Sequence, residues 1–467
     1  MAMTEKSARP AVQTGERSIQ RCIQPSCGAV FAIHERVIVC THCGGPLEVQ
    51  LDFNGLENPR ALRDTWAARA ASTDPRDRSG VWRYRELLPF ASEAPIVTLA
   101  EGNTPLYDAP RCADYSGLAA LRLKHQGCNP TGSFKDTGMT TAVTQAVLLG
   151  AGTVVCASTG NTAASLAAYA ARARIQCAIL VPSGQITAAK LAQSMDYGAT
   201  ICEVEGNFDA CMRLVQELAG DPSIYIANSI NPFRIDGQKT VAIELMIQCG
   251  WRAPDHVVVP GGNMGNSSAF GKGFDELLRL GLLDRLPSLS IIQAEGAAPL
   301  ARLFAALDRA KPAESLIPDA LVPVEHPQTL ATAIKIGSPV SWRKALRAVL
   351  NSRGQIITVS EQEIADAKAI IGRDGIGCEP ASATTIAGIR KLVAAGHIRR
   401  GDSVVAVLTG HVLKDPAYVS DYHRGSLSLD STAPDSASRE ITGQFRNVPE
   451  RVAATKAAVL ESLRRRG

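Results

Sequence analysis

From about residue 96 to 416 the chain alternates short apolar runs with amphipathic stretches. Val154-Val155-Cys156 has strand length, and an Ala-rich helical segment follows from Thr162. Cys177 to Val181 is the next strand, followed by a helix from Thr187 to Tyr197. Ile201 to Val204 precedes a helix from Phe208 to Leu218. Tyr225-Ile226-Ala227 and Val257-Val258-Val259 are further strands. Strands alternating with helices of this length predict parallel strands joined by crossover helices, an α/β fold. Around that core the pattern changes. Residues 1–20 are polar and expected to be disordered, residues 21–50 hold a cysteine module, and 51–95 read as a linker region with a helix from Leu56 to Ala71. The extension 417–467 is rich in Ser, Asp and Arg, with one helix expected near Val448 to Leu463.

Composition narrows the function classes. The 467 residues are 45% hydrophobic and 20% charged, the make-up of a globular enzyme with two or three domains. Lys plus Arg is 49 against 45 for Asp plus Glu, a net charge of +4. That balance excludes a nucleic-acid footprint, and the only basic block is Arg464-Arg465-Arg466. The apolar stretch Ala163 to Ala171 is broken by Arg172 and Arg174, short of the roughly 20 residues a bilayer needs. No membrane partner is expected. The opening residues lack the apolar centre of a signal peptide, which predicts a cytoplasmic protein. Of 12 cysteines, four cluster near the N-terminus and the rest are scattered in apolar surroundings, as reduced thiols would be.

Four segments carry candidate chemistry. Asn129-Pro130-Thr131-Gly132-Ser133-Phe134-Lys135-Asp136 is a turn running into a helix, with Lys135 in its first turn. The helix field disfavours a cation there and so favours the neutral, nucleophilic amine. Ser158-Thr159-Gly160-Asn161-Thr162 lies between a strand and a helix, where free backbone N–H groups and hydroxyls suit a carboxylate. Gly261-Gly262-Asn263-Met264-Gly265-Asn266 is a second such turn, suited to a phosphate. It has neither the Lys-Ser/Thr of a nucleoside-triphosphate loop nor the glycine spacing of a dinucleotide site. Thr409 ends the apolar run Val404 to Leu408. A reactive lysine with a phosphate cradle and a carboxylate cradle, most at the carboxyl ends of strands, points to pyridoxal 5'-phosphate.

These motifs, in this order, resemble the threonine synthases, pyridoxal-phosphate enzymes of the tryptophan-synthase β-like fold. The resemblance also rests on Glu101-Gly102-Asn103-Thr104-Pro105-Leu106, Asn231-Pro232-Phe233-Arg234, Gly237-Gln238-Lys239-Thr240, Thr332 to Gly337 and Glu379-Pro380-Ala381-Ser382-Ala383. It implies two open, mostly parallel α/β lobes over 96–416, the smaller roughly 130–240 inserted in the larger, and a homodimer. Lys135 would join the cofactor's aldehyde, Asn161 its phenolic oxygen, Thr409 its pyridine nitrogen, and Gly262, Asn263, Met264, Gly265 and Asn266 its phosphate. A neutral hydroxyl at the pyridine nitrogen makes a milder electron sink, suited to elimination. Ser158, Thr159 and Thr162 would hold the substrate's carboxylate. Ser229, Asn231, Arg234 and Lys239 would hold the phosphate of a phosphorylated amino acid, with Arg234 as the charged clamp. The implied reaction converts O-phosphohomoserine and water to threonine and phosphate, a carbon–oxygen lyase step.

Cys22 and Cys27, then Cys40 and Cys43, have the spacing of two metal knuckles and predict a structural zinc ribbon with four thiolates. A ribbon without metal is the alternative, and His34 and His42 are bystanders. Two positions depart from the family pattern: Thr137 stands where Arg is usual, and Gln126 where an acidic residue is common. They leave open a β-replacement enzyme resembling cysteate synthase, acting on phosphoserine and sulfite, or a serine or threonine dehydratase. A cofactor-free binding module with a degenerate core is a further reading, opposed by the intact Lys135, Asn161 and Thr409.

Overall fold

The computed structural model describes residues 18–466 apart from 55, 57, 185–187, 310 and 430–438. The larger lobe is built on a six-stranded sheet in the order Ile356–Val359, Ser288–Ala294, His256–Pro260, Val404–Leu408, Arg122–His125, Leu106–Asp108. All neighbours are parallel except the last pair, where the edge strand runs antiparallel. Every residue of Val404–Leu408 is buried, as expected for a central parallel strand covered on both faces. The smaller lobe is a four-stranded parallel sheet in the order Thr200–Val204, Gln176–Pro182, Thr153–Ala157, Ile224–Ile226. In sequence this sheet falls between strands of the larger one.

Helix Lys135–Leu148 lies at the junction and is buried from Asp136 to Ala146. Helix Pro232–Gln238 crosses it at close range. A Cβ at Gly237 would lie 1.9 Å from the Thr137 carbonyl oxygen, and one at Gly138 would lie 2.8 Å from that of Arg234. Thr141 Oγ1 donates to the Phe233 carbonyl at 2.8 Å and closes the contact. In front sits a three-stranded antiparallel ribbon, with Ser18–Cys22 between Val30–Ala32 and Leu47–Leu51.

Several boundaries differ from the sequence expectation, for local reasons. The first strand begins at Ser18, inside the segment expected to be disordered, because its backbone pairs with Leu47–Leu51. The linker helix spans Pro59–Ala70, since the Asn58 side chain caps it and Pro59 supplies the first helical residue. The C-terminal helix covers Lys456–Arg466 and not Val448 to Leu463. The expected helix start at Thr187 lies outside the described residues, and that helix is described from Ala188 to Asp196. Among the described residues no helix is long and apolar enough to cross a membrane.

Candidate active site

Four turns meet where the two sheets face each other, each following a parallel strand: 126–134 after Arg122–His125, 158–160 after Thr153–Ala157, 261–264 after His256–Pro260, and 409–411 after Val404–Leu408. Lys135 opens its helix from a loop that Asp136 makes rigid. The Asp136 carboxylate accepts the Thr131 backbone N–H at 2.7 Å and the hydroxyls of Thr131 and Ser165 at 2.6 Å. Gly132, at φ +83°, makes the turn that this requires. Phe134 N–H bonds the Thr409 carbonyl at 2.9 Å, tying the lysine loop to the strand end. The Lys135 amine is pulled down to about 7 by desolvation first and by the Arg234 charge second, with Glu379 opposing. Half of such amines are neutral near pH 7, a condition for reaction with an aldehyde.

Asn161 and Thr409 come together on one carboxylate. Asn161 Nδ2 donates to Glu379 Oε2 and Thr409 Oγ1 to Glu379 Oε1, both at 2.9 Å. The Ser382 hydroxyl accepts the Thr409 and Gly410 backbone N–H groups at 2.8 and 3.3 Å. Burial raises the Glu379 carboxyl above its ordinary range, against the pull of Asn161, Thr409 and Lys135. In the sequence Glu379 stands only as the first residue of a motif, with no role of its own. A carboxylate immediately before a proline-started helix, inside an otherwise apolar stretch, was the available signal.

The glycine turn is built for close approach. A Cβ on Gly262 would meet the Ile334 Cα at 3.2 Å and the Ala333 carbonyl at 3.3 Å. Met264 holds a left-handed φ of 65° and leads into helix Gly265–Arg279. Asn263 ties the turn to two other segments, donating to Ser229 Oγ at 2.6 Å and accepting Val340 N–H at 2.6 Å. Asn266 Nδ2 donates to Gln126 Oε1 at 2.9 Å. Among the described residues, buried polar atoms without a hydrogen-bond partner include Gln126 Nε2, Arg234 Nε, Gln238 Oε1, Asn266 Oδ1 and Ser267 Oγ. Asn266 and Ser267 open the helix after the glycine turn, Gln126 bonds Asn266, and Gln238 Oε1 lies 3.7 Å from a Cβ placed on Gly265. Unpaired buried groups are costly, so this cluster, with a helix N-terminus, fits a phosphate-bearing cofactor.

Arg234 is 2% exposed, donates Nη1 to the Ala227 carbonyl at 3.1 Å, and has no carboxylate partner among the described residues. Burial lowers its guanidinium only to about 10, so it stays charged at neutral pH. A buried cation with an unpaired Nε is a site for an anion. Ser158 and Thr159 line the half-buried turn ahead of helix Asn161–Ala173, and Thr162 is the second residue of that helix. Two expected substrate contacts are occupied elsewhere. Asn231 caps helix Pro232–Gln238, accepting Phe233 N–H and donating to the Ile226 carbonyl. The Lys239 ammonium lies between Asp236 and Glu276, at 2.7 and 2.9 Å. The departures are also absorbed locally: Thr137 Oγ1 donates to the Phe134 carbonyl, and Gln126 accepts from Asn266.

Away from this centre, the sulfurs of Cys22, Cys27, Cys40 and Cys43 all lie within 4.8 Å of one another. Cys22 and Cys43 are 3.4 Å apart, and Cys27 and Cys40 3.6 Å. Sulfur edges of about 3.8 Å are what a tetrahedral zinc with Zn–S bonds near 2.3 Å requires. The donor set fits a closed structural zinc site.

The family of pyridoxal-phosphate dependent enzymes matches residues 97–410. The chain is 45% identical over 400 residues to the threonine synthase of Methanocaldococcus jannaschii, covering 85% of this chain and 93% of that one. It is 47% identical over 335 residues to the threonine synthase of Mycobacterium tuberculosis, covering 71% and 88%. A solved L-serine ammonia-lyase from Rhizomucor miehei superposes with a TM-score of 0.59 at 19% identity, over 71% of this chain and 100% of that one. Maize serine racemase does so at 0.56 and 21%, over 69% and 92%. These two share the fold. The chain belongs to the pyridoxal-phosphate dependent enzymes and, within them, to the threonine synthase family.

Proposed function

We propose that the chain is a threonine synthase that converts O-phosphohomoserine and water to threonine and phosphate. The observation that carries this reading is Arg234, a buried and uncompensated cation close enough to Lys135 to lower its pKa. One anion is expected there, at a distance from the reacting amine set by the length of the substrate.

Pyridoxal phosphate, when bound, supplies the electron sink that stabilises charge at the substrate's Cα. The residues of this chain do the rest. Asn161 and Thr409, both held by Glu379, would contact the cofactor ring. The turn Gly262–Asn266 and the free polar groups of Ser267 and Gln126 would hold its phosphate. Ser158, Thr159 and Thr162 receive the substrate carboxylate, and Arg234 with Ser229 receives the phosphate to be expelled. Lys135 Nζ, neutral near pH 7, takes the proton from Cα and then moves a proton at Cβ. Phosphate leaves from Cγ with the C–O electron pair; of the two protons taken from Cα and Cβ one goes to Cγ and one returns to Cα, and water adds its hydroxyl at Cβ while its proton goes to the departing phosphate. Asn231 and Lys239 are assigned here to support of the Arg234 helix, not to substrate contact.

The same reading takes the four cysteines as zinc ligands, and the chain as a cytoplasmic homodimer, the state the family resemblance implies. Light scattering on the purified protein tests the oligomer. The deciding experiment measures phosphate release from O-phosphohomoserine and from O-phosphoserine with and without sulfite, products identified by mass. Phosphate and threonine from the first substrate alone support the reading. Turnover only of phosphoserine, or only with sulfite, overturns it in favour of a β-replacement enzyme.

A further inference from the structure

The strand Leu47–Leu51 follows directly on the second cysteine knuckle, and three of its consecutive residues each hold a cation from the larger lobe. The Leu47 carbonyl accepts Lys344 Nζ at 2.6 Å, the Glu48 carboxylate accepts Arg347 at 2.8 Å, and the Val49 carbonyl accepts Lys272 Nζ at 2.6 Å. Lys272 reaches further. Its ammonium donates to both oxygens of Asp236 at 2.9 Å. Asp236 stands two residues beyond Arg234 in the seven-residue helix Pro232–Gln238, and its other ammonium partner is Lys239. Asp236 and Lys239 are wholly buried, so water does not replace either partner.

The ribbon grips the same helix a second way. Ile33 and Val49 form one apolar cluster with Trp82, Phe90 and Phe233, the residue before Arg234. On the smaller lobe, Gln145 Nε2 donates to the Ile33 carbonyl at 3.0 Å, and Gln145 belongs to the helix that begins with Lys135. A unit of about 30 residues buries too little apolar surface to hold its shape by its own core, so a metal at the four cysteines would add order to it.

We propose that the four-cysteine module is a clamp that sets the position of Arg234, acting through Lys272 and Asp236 as positioning residues. The proposal rests on the phosphate role given to Arg234. It makes metal occupancy at the cysteines a determinant of how tightly the substrate's phosphate is held, with the chemical step at Lys135 left nearly unchanged.

The test uses the cofactor-loaded full chain. Removing the metal with a chelator is expected to raise backbone hydrogen exchange at Phe233–Gln238 as well as across residues 18–51. Lys272→Met is expected to raise both KM and the inhibition constant of inorganic phosphate by about tenfold, the low end of what a supporting partner contributes. It should leave kcat within about threefold and the visible cofactor band unchanged, and Lys272→Arg should restore both constants. Exchange confined to residues 18–51 after chelation, or a phosphate constant unmoved in Lys272→Met, overturns the clamp. If Lys272→Met does not fold, chelation of the unmodified chain still decides. Failure to turn over O-phosphohomoserine would remove the substrate reading instead, and the exchange result would judge the clamp separately.

Discussion

At the scale of single residues, the site is a set of polar groups whose partners are missing or shared. Lys135 is the amine proposed to react, and burial and the Arg234 charge bring it to about 7. Its pKa is depressed, so the ammonium dominates below 7 and the nucleophilic amine above. The rate at which cofactor-free protein captures pyridoxal phosphate should therefore rise about tenfold per pH unit below 7 and level off above about 8. Stopped-flow absorbance reads this directly, and a rise continuing to pH 10 would contradict it. Lys135→Ala should abolish the visible band and reduce turnover by on the order of 10²–10⁴-fold or more. Arg234→Met should raise KM for O-phosphohomoserine about 30-fold or more, since losing a buried charged contact costs about 2 kcal/mol or more. The visible band should survive that change, which separates substrate binding from cofactor binding.

At the scale of elements, close packing fixes the geometry that the residues use. Helices Lys135–Leu148 and Pro232–Gln238 approach through Gly138 and Gly237, where no side chain fits. Gly237→Ala places a methyl against the Thr137 carbonyl and should cost roughly 1–3 kcal/mol in urea unfolding, with a rise in KM because Arg234 rides on the displaced helix. A second restraint is the buried pair Lys124–Glu244, whose carboxylate also holds the backbone of Asn103 and Thr104. Removing the charge by Glu244→Gln leaves Lys124 buried without a counter-ion and should cost about 3–5 kcal/mol. Equal midpoints for Glu244→Gln and the parent chain in the same titration would show that the pair adds nothing.

At the scale of the whole molecule, two sheets and a ribbon share one junction. The larger lobe offers the glycine turn 261–264, the smaller the hydroxyl turn 158–160, and each lies at the carboxyl end of a parallel strand, where such sheets place ligands. The ribbon bonds to both, through Lys272, Lys344 and Gln145. Metal analysis of the purified chain should give about one zinc per chain, and chelation should lower Tm, since ordering of the ribbon is coupled to metal binding. A chain that holds no zinc and keeps its Tm under chelator would mean that the four sulfurs pack as thiols.

The sequence by itself determined the alternation of strands and helices, the four cysteines, Lys135, and the order of the glycine and hydroxyl turns. Those features are local: a period of hydrophobicity, a fixed spacing, or a turn that only certain residues make. Helix Phe208–Leu218 was legible to the residue because its apolar face and the Asn207 cap are both written in one short segment. What only the tertiary structure decided was which charges are shared. Lys239 and Arg234 stand five residues apart, and both are expected from sequence on the same phosphate, with Arg234 as the clamp. Folding puts Lys239 between two carboxylates and leaves Arg234 facing none among the described residues. Glu379 likewise acquires its place from Asn161, more than two hundred residues away. Burial and long-range pairing set the free energy of a charge, and neither is encoded in the neighbours along the chain.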